Sequence, residues 1–72
     1  MNEKYLIEIR KNGRFFYITE YEGRVALTWI VDMAKEFNSV KEADEFAKDA
    51  KYCTSGYTKL YDILPLSECK NW

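Results

Sequence analysis

The chain of 72 residues is long enough for one domain, and a domain this small hides only roughly 60% of its unfolded surface, so it has no core to spare. With 47% hydrophobic, 17% aromatic and 32% charged residues, the composition excludes the disordered class. Eleven basic residues against twelve acidic ones give a net charge of −1, which removes the broad cationic field that non-specific duplex binding needs.

The absence of histidine excludes a Cys–His zinc site, a Ser–His–Asp triad and a histidine general base. Two isolated Asn-Gly and Ser-Gly pairs, at 12–13 and 55–56, are turns without the glycine-rich loop and Lys-Ser/Thr sequel of a phosphate cradle. No metal, cofactor or catalytic residue is therefore assigned. The longest apolar runs, Phe15 to Ile18 and Trp29 to Val31, fall far short of the ~20 residues that cross a bilayer. The opening Met-Asn-Glu-Lys lacks a signal-peptide pattern, so a cytoplasmic location is expected. In a reducing compartment Cys53 and Cys69 act as small apolar residues with free thiols, although a pairing between them stays open.

In chain order, residues 4 to 10 alternate, with Tyr5, Ile7 and Ile9 on one side, which marks a strand. Asn12-Gly13 supplies the positive φ angles of a two-residue type I′ turn. That turn sets Lys11 against Arg14, Ile9 against Phe16 and Ile7 against Ile18. A second two-residue turn at Glu22-Gly23 sets Phe16 against Trp29, Ile18 against Leu27 and Glu20 against Val25. Both turns put Ile7, Ile9, Phe16, Ile18, Val25, Leu27 and Trp29 on one face, and this agreement predicts a three-stranded meander.

Asp32 to Lys35 suits a single helical turn with Asp32 as its cap, and Phe37 then returns to the core. Ser39-Val40-Lys41-Glu42 fits a capping box. Val40, Ala43, Phe46, Ala47 and Ala50 form the apolar stripe of a helix that ends near Tyr52. Asp44 and Lys48 are a favourable i,i+4 pair on its wet side. Residues 57 to 64 read as a fourth strand with Tyr57, Tyr61 and Ile63 inward, because Lys59 can snorkel while a buried Asp62 would need a partner. Pro65 ends that strand, and the pattern fixes no order for the tail, 65–72. The fold class is α+β in the order β-β-β-α-β, with the helix on one face of the sheet. Trp29 and Phe46 are expected in its core, where truncation to Ala costs roughly 3 to 5 kcal/mol.

The stretch from Trp29 to Ala43 follows the pattern W-x-x-D-x-A-x-x-F-x-S-x-x-E-A, carried by Trp29, Asp32, Ala34, Phe37, Ser39, Glu42 and Ala43. Together with the preceding hairpin, over about residues 4 to 50, it resembles small accessory proteins of bacteriophages and other mobile elements. Among small phage proteins of this size are anti-CRISPR and other anti-defence inhibitors. The resemblance implies a non-enzymatic protein that binds a host protein and blocks it by occupying a surface. It brings no catalytic motif.

Three features could serve such binding. The far face of the sheet carries Leu6, Phe15, Tyr17 and Ile30, and one helix cannot cover both faces. Either the tail with Leu66 and Trp72 folds across this face, or a second copy or a partner protein does. On the helix, Glu42, Glu45 and Asp49 make an acidic row at i, i+3, i+7, which is an ordinary solvated face or a mimic of nucleic-acid phosphate. At the hairpin tip, Arg10, Lys11 and Arg14 beside aromatic residues could stack single-stranded RNA, the alternative to a protein partner, or could simply serve solubility. A homodimeric regulatory subunit is the third reading.

Overall fold

The computed structural model describes residues 3–49, 53–54, 58–59 and 61–71. Three strands form an antiparallel meander: β1 (Tyr5–Lys11), β2 (Arg14–Tyr21) and β3 (Arg24–Thr28). The helix α1 (Val40–Asp49) follows, then a short two-stranded ladder of β4 (Cys53–Thr54) and β5 (Thr58–Lys59), then β6 (Tyr61–Pro65). The main sheet has the order β3-β2-β1-β6. The α+β class and the β-β-β-α-β order are those expected, with the β4–β5 ladder as an addition.

Both turns are two-residue turns in the left-handed region, with φ of 53° at Asn12, 76° at Gly13, 52° at Glu22 and 75° at Gly23. They fix the ladders Ile9–Phe16 and Lys11–Arg14 on one side of β2, and Ile18–Leu27 and Glu20–Val25 on the other. Two expected pairs lie outside these ladders. The β1–β2 ladder runs only from Glu8–Tyr17 to Lys11–Arg14, and β3 ends at Thr28.

Beyond that ladder β1 and β2 part, and residues 35–37 pass between them. The Lys35 amide donates to the Ile18 carbonyl at 2.9 Å, while Tyr5 and Phe37 exchange both backbone bonds at 2.9 Å. The chain thus crosses from one face of the sheet to the other. Ala34 packs with Leu6 and Tyr17 on the far face, whereas Phe37 packs with Ile7, Ile9 and Ile18 under the helix. Ahead of the crossing lies a 3-10 turn, Val31–Met33. Asp32 sits inside it and does not cap it; the capping position is Ile30.

The helix begins as the sequence indicates, with the Glu42 amide donating to Ser39 Oγ at 3.1 Å. Ala43 and Ala47 are fully buried and Phe46 packs against the same cluster, while Val40 is half exposed. Expectations for Ala50, Tyr52, Tyr57 and Leu60 lie outside the described residues. α1 packs over β1 and β6. A helix is about 10 Å across and strands are spaced by about 4.8 Å, so one helix roofs about two strands of four. The Tyr61 hydroxyl donates to Asp44 Oδ1 and ties helix to sheet, with Tyr61 and Ile63 inward as expected and Asp62 exposed.

Candidate docking surface

Of the alternatives for the far face, the structure shows closure by the tail, through Leu66, in place of a second copy or a partner protein. Leu6 and Tyr17 are both fully buried. They lie beneath Val31 and Ala34 of the crossing segment and beneath Leu66 and Cys69 of the C-terminal segment. The Tyr17 hydroxyl donates to the Lys70 carbonyl at 2.7 Å and accepts from the Lys70 amide at 3.1 Å. Asn71 Oδ1 accepts from the Val31 amide at 2.7 Å, and Thr19 Oγ1 donates to the Met33 carbonyl at 2.6 Å. Residues 65–71 are thus a packed lid: the Leu66 amide donates to the Lys4 carbonyl, and Glu3 holds both the amide and hydroxyl of Ser67. Leu6 and Tyr17 are corrected from docking residues to core. Phe15 is partly buried and Ile30 is 37% exposed at the margin of the lid. Trp72 lies outside the described residues.

Cys69 belongs to this closure. It is a free thiol whose Sγ donates to the Pro65 carbonyl at 3.4 Å. Burial pushes the thiol up from its ordinary value, the Tyr17 hydrogen bond opposes that, and the charges of Glu8, Glu68 and Glu3 add to it. A neutral thiol under a lid is a packing group, without the thiolate character of a nucleophile.

The uncovered surface lies on the helix side, over β2 and β3. Trp29 is expected in the core and is instead 57% exposed, Val25 is 39% exposed, and Phe16 and Leu27 are partly buried. The alternation places all four on the correct face. The helix does not reach them. The Phe16 and Trp29 rings lie 6.1 Å apart at 46°, a tilted aromatic pair.

At the Asn12-Gly13 end, Lys11 and Arg14 stand on this same face as cross-strand partners. Two shallow depressions share Arg14 and Phe16. One, of about 450 Å³, is lined by Gly13, Arg14, Phe15, Phe16 and Trp29; the other, of about 470 Å³, by Lys11, Asn12, Arg14, Phe16 and Leu27. Among the described residues neither Lys11 nor Arg14 makes a salt bridge, whereas Lys35 pairs with Glu20 at 2.6 Å and Lys48 with Asp44 at 3.1 Å. Arg10 pairs with Phe15 and points to the other face, so the three basic residues of the tip do not form one cluster.

Part of the acidic row, Glu42 and Asp49, lies toward the same open half. Asp44 turns toward Tyr61 of β6, and the ring of Phe46, on the other flank, meets Lys35 Nζ at 5.5 Å. At 100° per residue, Glu42 and Asp49 lie about 40° and about 60° beyond Phe46 on that flank, whereas Glu45 is equally far from Phe46 and Asp44 and points away from the sheet. All three are exposed. The open half is therefore a trough. Its floor is Phe16, Leu27, Val25 and Trp29, its side an acidic helix flank, and its end a basic hairpin tip. Among the described residues there is no group of three side chains able to hold a metal ion, and no helix is long and apolar enough to cross a membrane. The signal missed at the sequence level is width: one ten-residue helix against four strands leaves two uncovered. Comparison with protein-family models, with curated proteins and with solved structures gives no match to this chain.

Proposed function

We propose that the protein is a non-enzymatic binding protein that blocks a host protein by occupying its surface through the trough over β2 and β3. The observation that carries this reading is Trp29, more than half exposed beside Phe16 and Arg14. Trp and Arg are the residues most enriched among interface anchors, and an exposed aromatic pair costs a monomer solubility unless it serves contact. The acidic helix flank and the basic tip give the trough a charge pattern that selects partners and orients them. The phage-protein resemblance supports a host defence protein as the occupant.

The test is affinity capture from bacterial lysate with the wild-type chain, Trp29→Ser, Arg14→Glu and Tyr21→Ser. Tyr21 is 70% exposed on the opposite face, so its variant is the control. One protein held by wild type and by Tyr21→Ser, and lost by the other two, is the expected outcome. Capture that survives both trough substitutions would place the surface elsewhere. Arg14 lining one depression with Phe15, Phe16 and Trp29 also favours single-stranded RNA as a second reading. Saturable, salt-sensitive binding of a short RNA that fails with Trp29→Ser would replace the protein partner with it.

A further inference from the structure

The trough has the dimensions of a second helix. α1 packs over β1 and β6, and packed helices are spaced by about 8–10 Å, close to the width of the two strands it leaves bare. Along β2 the trough runs from Arg14 at the basic tip, past Phe16, to Glu20, roughly 20 Å or the length of a helix of about 13 residues. An extended segment laid on this face would bury backbone groups that the sheet cannot pair, whereas a helix arrives with most of its own groups bonded.

The charges around it are unequally satisfied. At the end away from the tip, Glu20 and Lys35 neutralise each other at 2.6 Å. At the tip, Lys11 and Arg14 stand directly opposed on one face, both exposed and, among the described residues, without a salt bridge. Like charges so placed disfavour the ladder, and an anionic group set between them relieves it. A helix brings one at its C-terminus, where the last carbonyls lack partners and the macrodipole is negative. Along the side, Glu42 and Asp49 are exposed and, among the described residues, also without a salt bridge. They repel a phosphate backbone laid in the trough and suit a helix that carries Lys or Arg toward α1.

We infer that the occupant of the trough is an amphipathic helix of the partner protein, seated beside α1 with a fixed direction. Its apolar stripe lies on Phe16, Leu27, Val25 and Trp29. Its last turn, bearing Asp or Glu, lies over Lys11 and Arg14, and its basic flank faces Glu42 and Asp49. This inference rests on the docking reading of the same surface and adds the occupant's conformation, direction and charge. A carboxylate in the last turn disfavours an isolated helix, so a preference for one there reports the two cations of the tip and not helix propensity.

The experiment is selection of peptides of about 16 residues, long enough to span the trough as a helix, from a displayed random library on the immobilised full chain. Affinities of the enriched sequences are then measured with wild type, Trp29→Ser, Arg14→Glu and Tyr21→Ser. The expected sequences have apolar residues at i, i+3 or i+4 and i+7, Lys or Arg on one flank and Asp or Glu in the last turn, and they gain helical circular dichroism on binding. They should bind Tyr21→Ser as they bind wild type. Trp29→Ser should weaken them by about tenfold or more. Arg14→Glu should weaken them by roughly fivefold and should prefer the same peptide with its last acid changed to Lys.

Enriched peptides with period-2 alternation that lose binding with Trp29→Ser would overturn the helix and leave the docking surface standing. Peptides of any pattern that bind Trp29→Ser as well as wild type would remove both. Helical peptides indifferent to Arg14→Glu, or a selection that enriches nothing, overturn the inference, as does a short single-stranded RNA that displaces the peptides at equal concentration. Self-association of the full chain that the peptides abolish would make a second copy the occupant in place of a partner's helix. If Trp29→Ser does not fold, amide shifts of the wild-type chain on adding peptide locate the contact: movement at Phe16, Leu27 and Trp29 is expected, and movement confined to other residues overturns the assignment.

Discussion

The halves β1–β6 and β2–β3 of this sheet are built from similar apolar alternation but meet solvent differently. Over β1 and β6 the helix closes one face, and the crossing segment with the C-terminal lid closes the other, so Leu6, Ile7 and Ile9 are all at or near zero exposure. Over β2 and β3 only part is closed, and Trp29 and Val25 remain in water. Equal hydrophobicity thus has unequal consequences, because burial depends on what lies above a residue and a domain of this size has one helix to give.

Two aromatic truncations sharpen that contrast most. Tyr17→Ala removes a fully buried ring and both bonds to Lys70 and should cost about 3 to 5 kcal/mol, enough to unfold most of a population by circular dichroism. Trp29→Ala should cost about 1 kcal/mol or less, in place of the larger value that the alternation alone suggests. Equal shifts of the urea midpoint for the two would mean that the trough is closed in solution. Next in size, Tyr17→Phe keeps the ring and loses the hydroxyl, and a loss of about 1 kcal/mol is expected in urea denaturation; no change would show that the lid is held by Leu66 and Cys69 packing alone. Smaller and opposite in sign is Glu22→Asn. A glutamate held at a φ of 52° is strained where Asn is tolerated, so thermal melting should show a gain of roughly 0.5 to 1 kcal/mol. Last, in a Cys53→Ser background, the pH midpoint of Cys69 alkylation should lie above the ordinary 9.0 because burial disfavours the thiolate. A midpoint at or below that value would indicate a lid open much of the time.

The acidic row was legible as Glu42, Glu45 and Asp49, and the basic tip as Lys11 and Arg14. That Glu42 and Asp49 share the trough with the basic tip while Glu45 points away was not, because it depends on which flank of α1 faces β6. Leu6 and Tyr17 were read as surface because alternation identifies a face without showing whether distant chain lies on it. The tail, 65–72, offered no periodicity, so its packing as a lid had no local signal.

Local chemistry determined the turns, the strand register, the helix start and the two-faced apolar pattern, since each depends on a few adjacent residues and their φ preferences. Tertiary structure alone decided that the chain crosses between β1 and β2, that its last residues seal Tyr17, and that Trp29 stays outside. Those outcomes follow from competition among segments far apart in sequence for a limited area of sheet, and no short stretch of residues records who wins it.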